Sequence, residues 1–256
     1  MSVITVPFLE KQRFGNACFI YCFARAYAEK MNCELQCPKD WVGRKILANA
    51  TEPVISVNLP QTFLDTNPKY PLGYFFGSTD IALHIYSQHQ IYIDWFSRAQ
   101  VREWLKLKPE YEEYAPALGQ PPYSAMHLRR GDYVTDPTLR KLYCEVSDES
   151  YERAIEKFKI PQPVLRVFEG CATPDQTLVN EGLDWLEDFL VLRDAAHLLR
   201  ANSSFSVWAS WLGHGKTYSP IVGDKVGPNF CEFAEGNAEC TAGVFPNQSS
   251  LNLKEI

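Results

Sequence analysis

His127-Leu128-Arg129-Arg130-Gly131-Asp132 closes a short apolar run, Tyr123 to Leu128, that reads as a β-strand. Alternation along a strand puts His127 and Arg129 on one side and Leu128 on the other. Two arginines beside a glycine at the carboxyl end of a parallel strand stand where open α/β sheets bind ligands. The planar fork of arginine suits a diphosphate and stays charged at any relevant pH. Gly131 would let the backbone turn sharply and approach a ligand closely. The alternative for the same residues is an ion pair, with Arg130 meeting Asp132 or a nearby glutamate.

A second segment, Ala201-Asn202-Ser203-Ser204-Phe205-Ser206-Val207-Trp208-Ala209-Ser210-Trp211, runs from a short strand into a serine-rich helix start. Ser203 or Ser204 can cap that helix, and the amides of its first turn make an anion site. Hydroxyls and amides there could hold a phosphate beside Arg129; simple N-capping explains the same serines. Phe205, Trp208 and Trp211 share one helix face, a spacing that suits a core as well as a sugar platform.

Around these segments the pattern alternates between strand and helix. Ser2 to Phe8 reads as a strand, Gly15 and Asn16 as a turn, and Ala17 to Lys30 as a helix apolar on most sides. Cys33 to Gln36 and Val54 to Val57 read as strands, and Asp94 to Leu107 as an amphipathic helix. Lys108 to Pro122, rich in Pro, Glu, Tyr and Gly, reads as a linker, which sets domains at 1–118 and 119–256. In the second, Asp148 to Lys159 reads as a helix with Asp148 near its N-cap. Val164 to Phe168 is a strand, followed by a helix from about Pro174 and another over Asp184 to Ala195. His197 to Arg200 is a short strand, Ser204 to Leu212 a helix, and Lys216 to Ile221 a strand. The tail after Asp224 carries no predicted element. Such alternation implies an α/β fold with a largely parallel sheet.

Composition narrows the function classes. Of 256 residues, 46% are hydrophobic and 13% aromatic, which describes a folded chain rather than a disordered one. The formal charge of −6 argues against a general nucleic-acid binder. The 8 cysteines show no paired C-x2-C spacing of a structural zinc site and read as reduced thiols. Met1 to Arg13 contains Pro7 and no apolar core of a signal peptide, and no run reaches the length of a membrane span. A cytoplasmic location is the expectation, and the sequons at Asn49, Asn202 and Asn247 then carry no weight.

The two segments, in this order and about seventy residues apart, resemble the alpha-1,2-fucosyltransferase family (glycosyltransferase family 11). That family carries H-x-R-R-G-D and, later, A-N-S-(S/T)-F-S-x-W-x-x-W-L, here Ala201 to Leu212. A third match, Gly15-Asn16-Ala17-Cys18-Phe19-Ile20-Tyr21-Cys22-Phe23-Ala24, is similar to the family's G-N-Q-M-F-Q-Y-A-F-A. The resemblance implies a GT-B fold, two Rossmann-like domains facing a cleft, here with the first domain reduced. It implies transfer of L-fucose from GDP-fucose to a glycan hydroxyl, with inversion at the sugar carbon and no required metal or cofactor.

Carried over, Arg129 would hold the β-phosphate and stabilise the leaving diphosphate, while His127 would help place the guanine or ribose. Arg130, Gly131 and Asp132 would complete the loop, Asp132 by fixing an arginine. Asn202, Ser204, Phe205 and Ser206 would meet the phosphates, and Gly15 and Asn16 would line the cleft from the first domain. Where the family often has F-S-D-D, this chain has Phe168-Glu169-Gly170-Cys171, so Glu169 is the nearest acidic candidate to read the guanine. Ala17 and Cys18 replace the family's glutamine and methionine, and Val207 replaces one tryptophan. Asp132, Asp136, His84 and Glu10 are candidate bases, and the sequence ranks none of them. Two rivals share the same residues: a transferase of another GDP-deoxyhexose or linkage, and a nucleotide- or glycan-binding protein without catalysis.

Overall fold

Strand β1 (Val3–Thr5) leads through a 3-10 turn, Pro7–Lys11, into α1 (Phe14–Met31). The computed structural model describes residues 2–63, 77–85, 87–88, 90–112, 122–168, 176–223 and 227–236. The chain divides into two units, residues 1–112 and 113–255.

In the first unit α1 is buried on nearly every side, with Ala17 through Ala24 each at 0% exposure. This follows from an alanine- and aromatic-rich stretch with no breaker and almost no polar face. Asn32 ends the helix in the left-handed region at φ 52°, its N–H reaching the carbonyls of Ala28 and Glu29. Gly15 and Asn16 lie inside the first turn of α1 rather than in a preceding turn, because Arg13 already serves as the N-cap. The remaining elements are β2 (Glu34–Gln36), α2 (Val42–Ile46), β3 (Gln61–Phe63), β4 (Ile81–His84), α3 (Gln90–Ile93), α4 (Arg98–Trp104) and α5 (Pro109–Glu112). Among the described residues its strands run parallel in the order β2-β1-β4-β3.

Further sequence expectations change here, and the strand expected over Ser2 to Phe8 stops at Thr5. Val54 to Val57 forms no strand, and only a single bridge joins Val54 to Cys37. The helix expected over Asp94 to Leu107 starts later: Ser97 accepts from the Gln100 amide and Gln100 answers back, a capping box that fixes the start at Arg98.

The second unit holds β5 (Ser124–Leu128), α6 (Gly131–Thr135), α7 (Pro137–Leu142), β6 (Cys144–Val146), α8 (Asp148–Phe158) and β7 (Val164–Phe168). There follow α9 (Gln176–Asn180), α10 (Leu186–Asp194), β8 (His197–Leu199), α11 (Ser204–Leu212), β9 (Lys216–Ile221), β10 (Gly227–Asn229) and β11 (Glu232–Glu235). The main sheet has the order β11-β9-β8-β5-β7, parallel except for the antiparallel edge strand β11.

One face of that sheet carries Met126, Leu128, Leu199 and Tyr218, packed with Tyr151 and Ala154 of α8 and with Phe233. Helices α10 and α11 pack together, and α10 also packs on β5 and β7. The N-cap of α8 is Ser147, whose hydroxyl accepts from the Ser150 amide, so Asp148 is the first helical residue and not the cap. The segment after Asp224, expected to be without elements, supplies β10, paired with β6, and β11, paired with β9. Gly-Pro-Asn reads locally as a turn, and pairing with a partner strand overrides that signal.

Candidate active site

Two strand ends, those of β5 and β8, and one helix start converge on the face of the main sheet opposite the α8 core. In β5, Met126 and Leu128 point into that core, so His127 between them lies on the other face. Its imidazole is 3% exposed, and its ring centroid stands 5.7 Å from that of Phe205, in the first turn of α11. The Tyr151 hydroxyl donates to the His127 carbonyl at 2.8 Å, which fixes the strand end from beneath. Burial, together with the guanidinium groups of Arg129 and Arg200, pushes the His127 imidazole down to about 3. His127 is therefore neutral at ordinary pH, and its buried Nδ1 has no hydrogen-bond partner among the described residues.

Arg129 continues the His127 face. One of its terminal nitrogens pairs with Asp132 Oδ1 at 2.6 Å, and its guanidinium lies 5.2 Å from the centroid of the Tyr133 ring. Asp132 and Tyr133 both belong to α6, so that short helix is the mount of the arginine. The Tyr133 hydroxyl in turn donates to the Asn202 carbonyl at 3.1 Å. That one residue ties the His127–Asp132 segment to the loop entering α11.

Gly131 opens α6 after Arg130 as N-cap, and it is not among the glycines with positive φ. The sharp turn anticipated at this glycine is thus a plain helix start that needs no left-handed backbone. Arg130 is turned towards β6 and α8. It pairs with Glu145 at 3.0 Å and Asp148 at 2.7 Å, and donates to the Val146 carbonyl at 2.9 Å. The ion pair with a nearby glutamate, one of the two readings of its sequence context, is the arrangement found.

At α11 the cap is Ser203, whose hydroxyl accepts from the Phe205 amide at 3.2 Å. Ser204 is the first helical residue. Ser206 is fully buried, and its hydroxyl donates back to the carbonyls of Ala201 at 3.2 Å and Ser203 at 3.3 Å, bracing the loop. Asn202 is 4% exposed with its Oδ1 buried and without a hydrogen-bond partner among the described residues. Phe205 also meets the rings of Phe189 and Trp185, at 5.3 and 6.1 Å. Trp208 and Trp211 are buried 5.1 Å apart, so this stripe serves the core.

Of the other candidates, Glu169 lies outside the described residues. Gly15 and Asn16 sit in the first unit, where Asn16 Oδ1 accepts from Gln88 at 2.9 Å. Asp136 caps α7, accepting from the Thr138 and Leu139 amides. His84 stacks on Phe8 at 5.8 Å, and burial and Lys11 lower its pKa. Glu10 lies in the 3-10 turn. None of these geometries singles out a base.

Sequence reasoning passed over Arg200, read only as the end of a short strand. Its side chain is fully buried, and none of its three guanidinium nitrogens has a hydrogen-bond partner among the described residues. A charged residue closing an apolar strand immediately before Ala201-Asn202-Ser203 was the available signal. Among the described residues no group of three or more His, Cys, Asp and Glu side chains could hold a metal ion, and no helix is long and apolar enough to cross a membrane. The described cysteines are reduced, including Cys144 and Cys231, whose sulfurs lie 3.5 Å apart.

The chain can be set beside known proteins. Its fold is similar to that of the NodZ alpha-1,6-fucosyltransferase soaked with GDP-fucose, at a TM-score of 0.53 and 15% identity, covering 92% of this chain and 99% of that one. The same enzyme co-crystallised with GDP gives a TM-score of 0.53, and a crystal structure of fucosyltransferase NodZ from Bradyrhizobium gives 0.52. At this identity the likeness concerns the fold, a mixed α/β architecture with parallel sheets of the GT-B-like kind. The O-antigen biosynthesis glycosyltransferase WbnK of Escherichia coli is 24% identical over 102 residues, 35% of this chain and 34% of that protein, so the match spans about a third of the relative's length. Residues 120–230, which contain β5, the Arg129 mount and α11, match the sequence model described as glycosyl transferase family 11.

Proposed function

We propose that this protein is a fucosyltransferase that moves L-fucose from GDP-fucose to a glycan hydroxyl, with inversion and in an alpha-1,2 linkage to a galactoside. One observation carries the reading. Arg129 lies on Tyr133, whose hydroxyl holds the Asn202 carbonyl beside the start of α11. A guanidinium and the positive end of a helix are thereby supported by one residue. Two further observations support it: the family match over residues 120–230 and the fold likeness to NodZ, which was crystallised with GDP and soaked with GDP-fucose.

The chemistry then has a simple balance. The acceptor oxygen bonds to the fucose anomeric carbon while the bond from that carbon to the β-phosphate oxygen breaks, and GDP leaves with the electron pair. The acceptor proton passes to a base. Positive charge builds on the sugar ring and negative charge on the diphosphate. A preorganised cation and helix end at the diphosphate stabilise that charge. Arg129 is the catalytic group in this reading, and Asp132 positions it. The donor requires no metal for this step, and the reduced thiols suit a cytoplasmic setting.

The test is release of GDP from GDP-fucose, with and without galactoside acceptors and with EDTA present, with the product linkage read by NMR. Acceptor-dependent release with an alpha-1,2 product is the expected outcome. Turnover of a different GDP-sugar only would replace the donor assignment, and GDP binding without any turnover would leave a binding protein.

A further inference from the structure

Arg200 has no place in the scheme above. It is fully buried, and its Nε and both terminal nitrogens lack hydrogen-bond partners among the described residues. A guanidinium cannot shed its proton to escape such a site, and a buried charge without a partner is strongly unfavourable. A residue kept in that condition calls for negative charge held close by in the working protein.

Strand register says where that charge would lie. β5 and β8 pair Ser124 with His197, Ala125 with Leu198 and Met126 with Leu199. One step further along both strands sets His127 beside Arg200. The Arg200 amide donates to the Tyr218 carbonyl at 2.9 Å, so the backbone is still extended alongside β9. Leu199 faces the α8 core, and alternation puts the Arg200 side chain on the opposite face, that of His127 and Arg129. Across that face stands Phe205, against the His127 ring, in the first turn of α11.

We infer that Arg200 is a positioning residue of the diphosphate site, a buried guanidinium set behind His127 that adds positive field to the Arg129 and α11 cradle and makes it selective for a doubly phosphorylated ligand. The inference rests on the proposed diphosphate reading and extends it to a residue outside the motif. With Arg129 it places two fixed positive charges near one helix end, which favours a diphosphate over a monophosphate.

The experiment compares wild type, Arg200→Met and Arg200→Lys by calorimetric titration with inorganic pyrophosphate, GDP and GMP, and by thermal unfolding of the ligand-free proteins. Arg200→Met should bind pyrophosphate and GDP about tenfold or more weakly, lose less for GMP, and unfold at the same or a higher temperature than wild type. Arg200→Lys, which restores charge without the fork, should recover part of the affinity. This opposition separates the inference from a structural role, in which losing the side chain lowers stability and leaves the preference for diphosphate over monophosphate unmoved.

Pyrophosphate and GDP affinities of Arg200→Met within twofold of wild type overturn the inference and leave the transferase reading standing. A lower unfolding temperature for Arg200→Met with an unchanged ratio of GDP to GMP affinity also overturns it. Wild type that binds pyrophosphate and not GDP sinks the nucleotide reading while Arg200 is still judged on pyrophosphate. Wild type that binds neither sinks both.

Discussion

At the scale of single residues, the decisive fact is that two adjacent arginines have different occupations. Arg129 is mounted on Asp132 and Tyr133, on the face shared with His127, while Arg130 is tied to Glu145, Asp148 and the Val146 carbonyl. Arg129→Ala should therefore lower turnover of GDP-fucose by ~10² to 10³, the usual loss for one preorganised contact to a developing negative charge. The unfolding temperature should move by no more than about 4 °C. Full activity in that variant would remove the arginine from the mechanism. His127 gives a pH prediction. Its folded-state value of about 3 lies below the ordinary 6.5. As pH falls below 6.5 the unfolded chain takes up a proton that the folded chain refuses, so stability declines through the window from 6.5 down to about 3. The drop in urea midpoint between about pH 7 and about pH 5 should be smaller in His127→Gln than in wild type. An equal drop in both would show that this imidazole is not held neutral.

Helix α11 is the element on which the site depends, and it is set by short-range chemistry. Ser203 caps it, Ser206 braces the entering loop, and Trp208 and Trp211 anchor its buried side. Ser203→Ala should cost about 1 kcal/mol of unfolding free energy, measured by denaturant titration, and should weaken GDP binding because the helix mouth loses its order. The connection beyond α11 is more demanding. A Cβ on Gly215 would collide with the backbone carbonyl oxygen of Ala195, a group that cannot swing aside. Gly215→Ala should therefore destabilise by ~1–3 kcal/mol, and unchanged stability would mean that the β8–β9 approach is looser than it stands here. At this scale most of the second unit was legible: α11 and β9 occupy the residues their patterns indicated. The first unit was less so, since Val54 to Val57 has apolar character but, among the described residues, pairs as a strand at one bridge alone. A strand is defined by its neighbour, which local sequence does not name.

For the molecule as a whole, the site described lies within the unit spanning residues 113–255. A ligand that binds only the folded form stabilises it in proportion to its occupancy. GDP at about 100 times its dissociation constant should add about 2.7 kcal/mol, seen in scanning calorimetry as an upward shift of the transition that unfolds this unit. A trace unmoved by saturating GDP would count against the donor site itself. The same experiment on Arg129→Ala should show a smaller shift at equal GDP concentration.

By itself the sequence determined the α/β alternation, the strands β5 and β9 and the helix α11, and which groups were on hand: a guanidinium at 129, an imidazole at 127, a serine cap at 203 or 204. These follow from periodicity, capping and turn chemistry, which act over a few residues. Only the tertiary structure decided that Arg130 turns away to Glu145 and Asp148, that the Tyr133 hydroxyl reaches the Asn202 carbonyl, and that Arg200 comes to stand beside His127. Each joins residues from different elements. The register between two strands is set by how whole faces bury their apolar side chains, and a local pattern fixes the face a residue occupies without saying what will lie next to it.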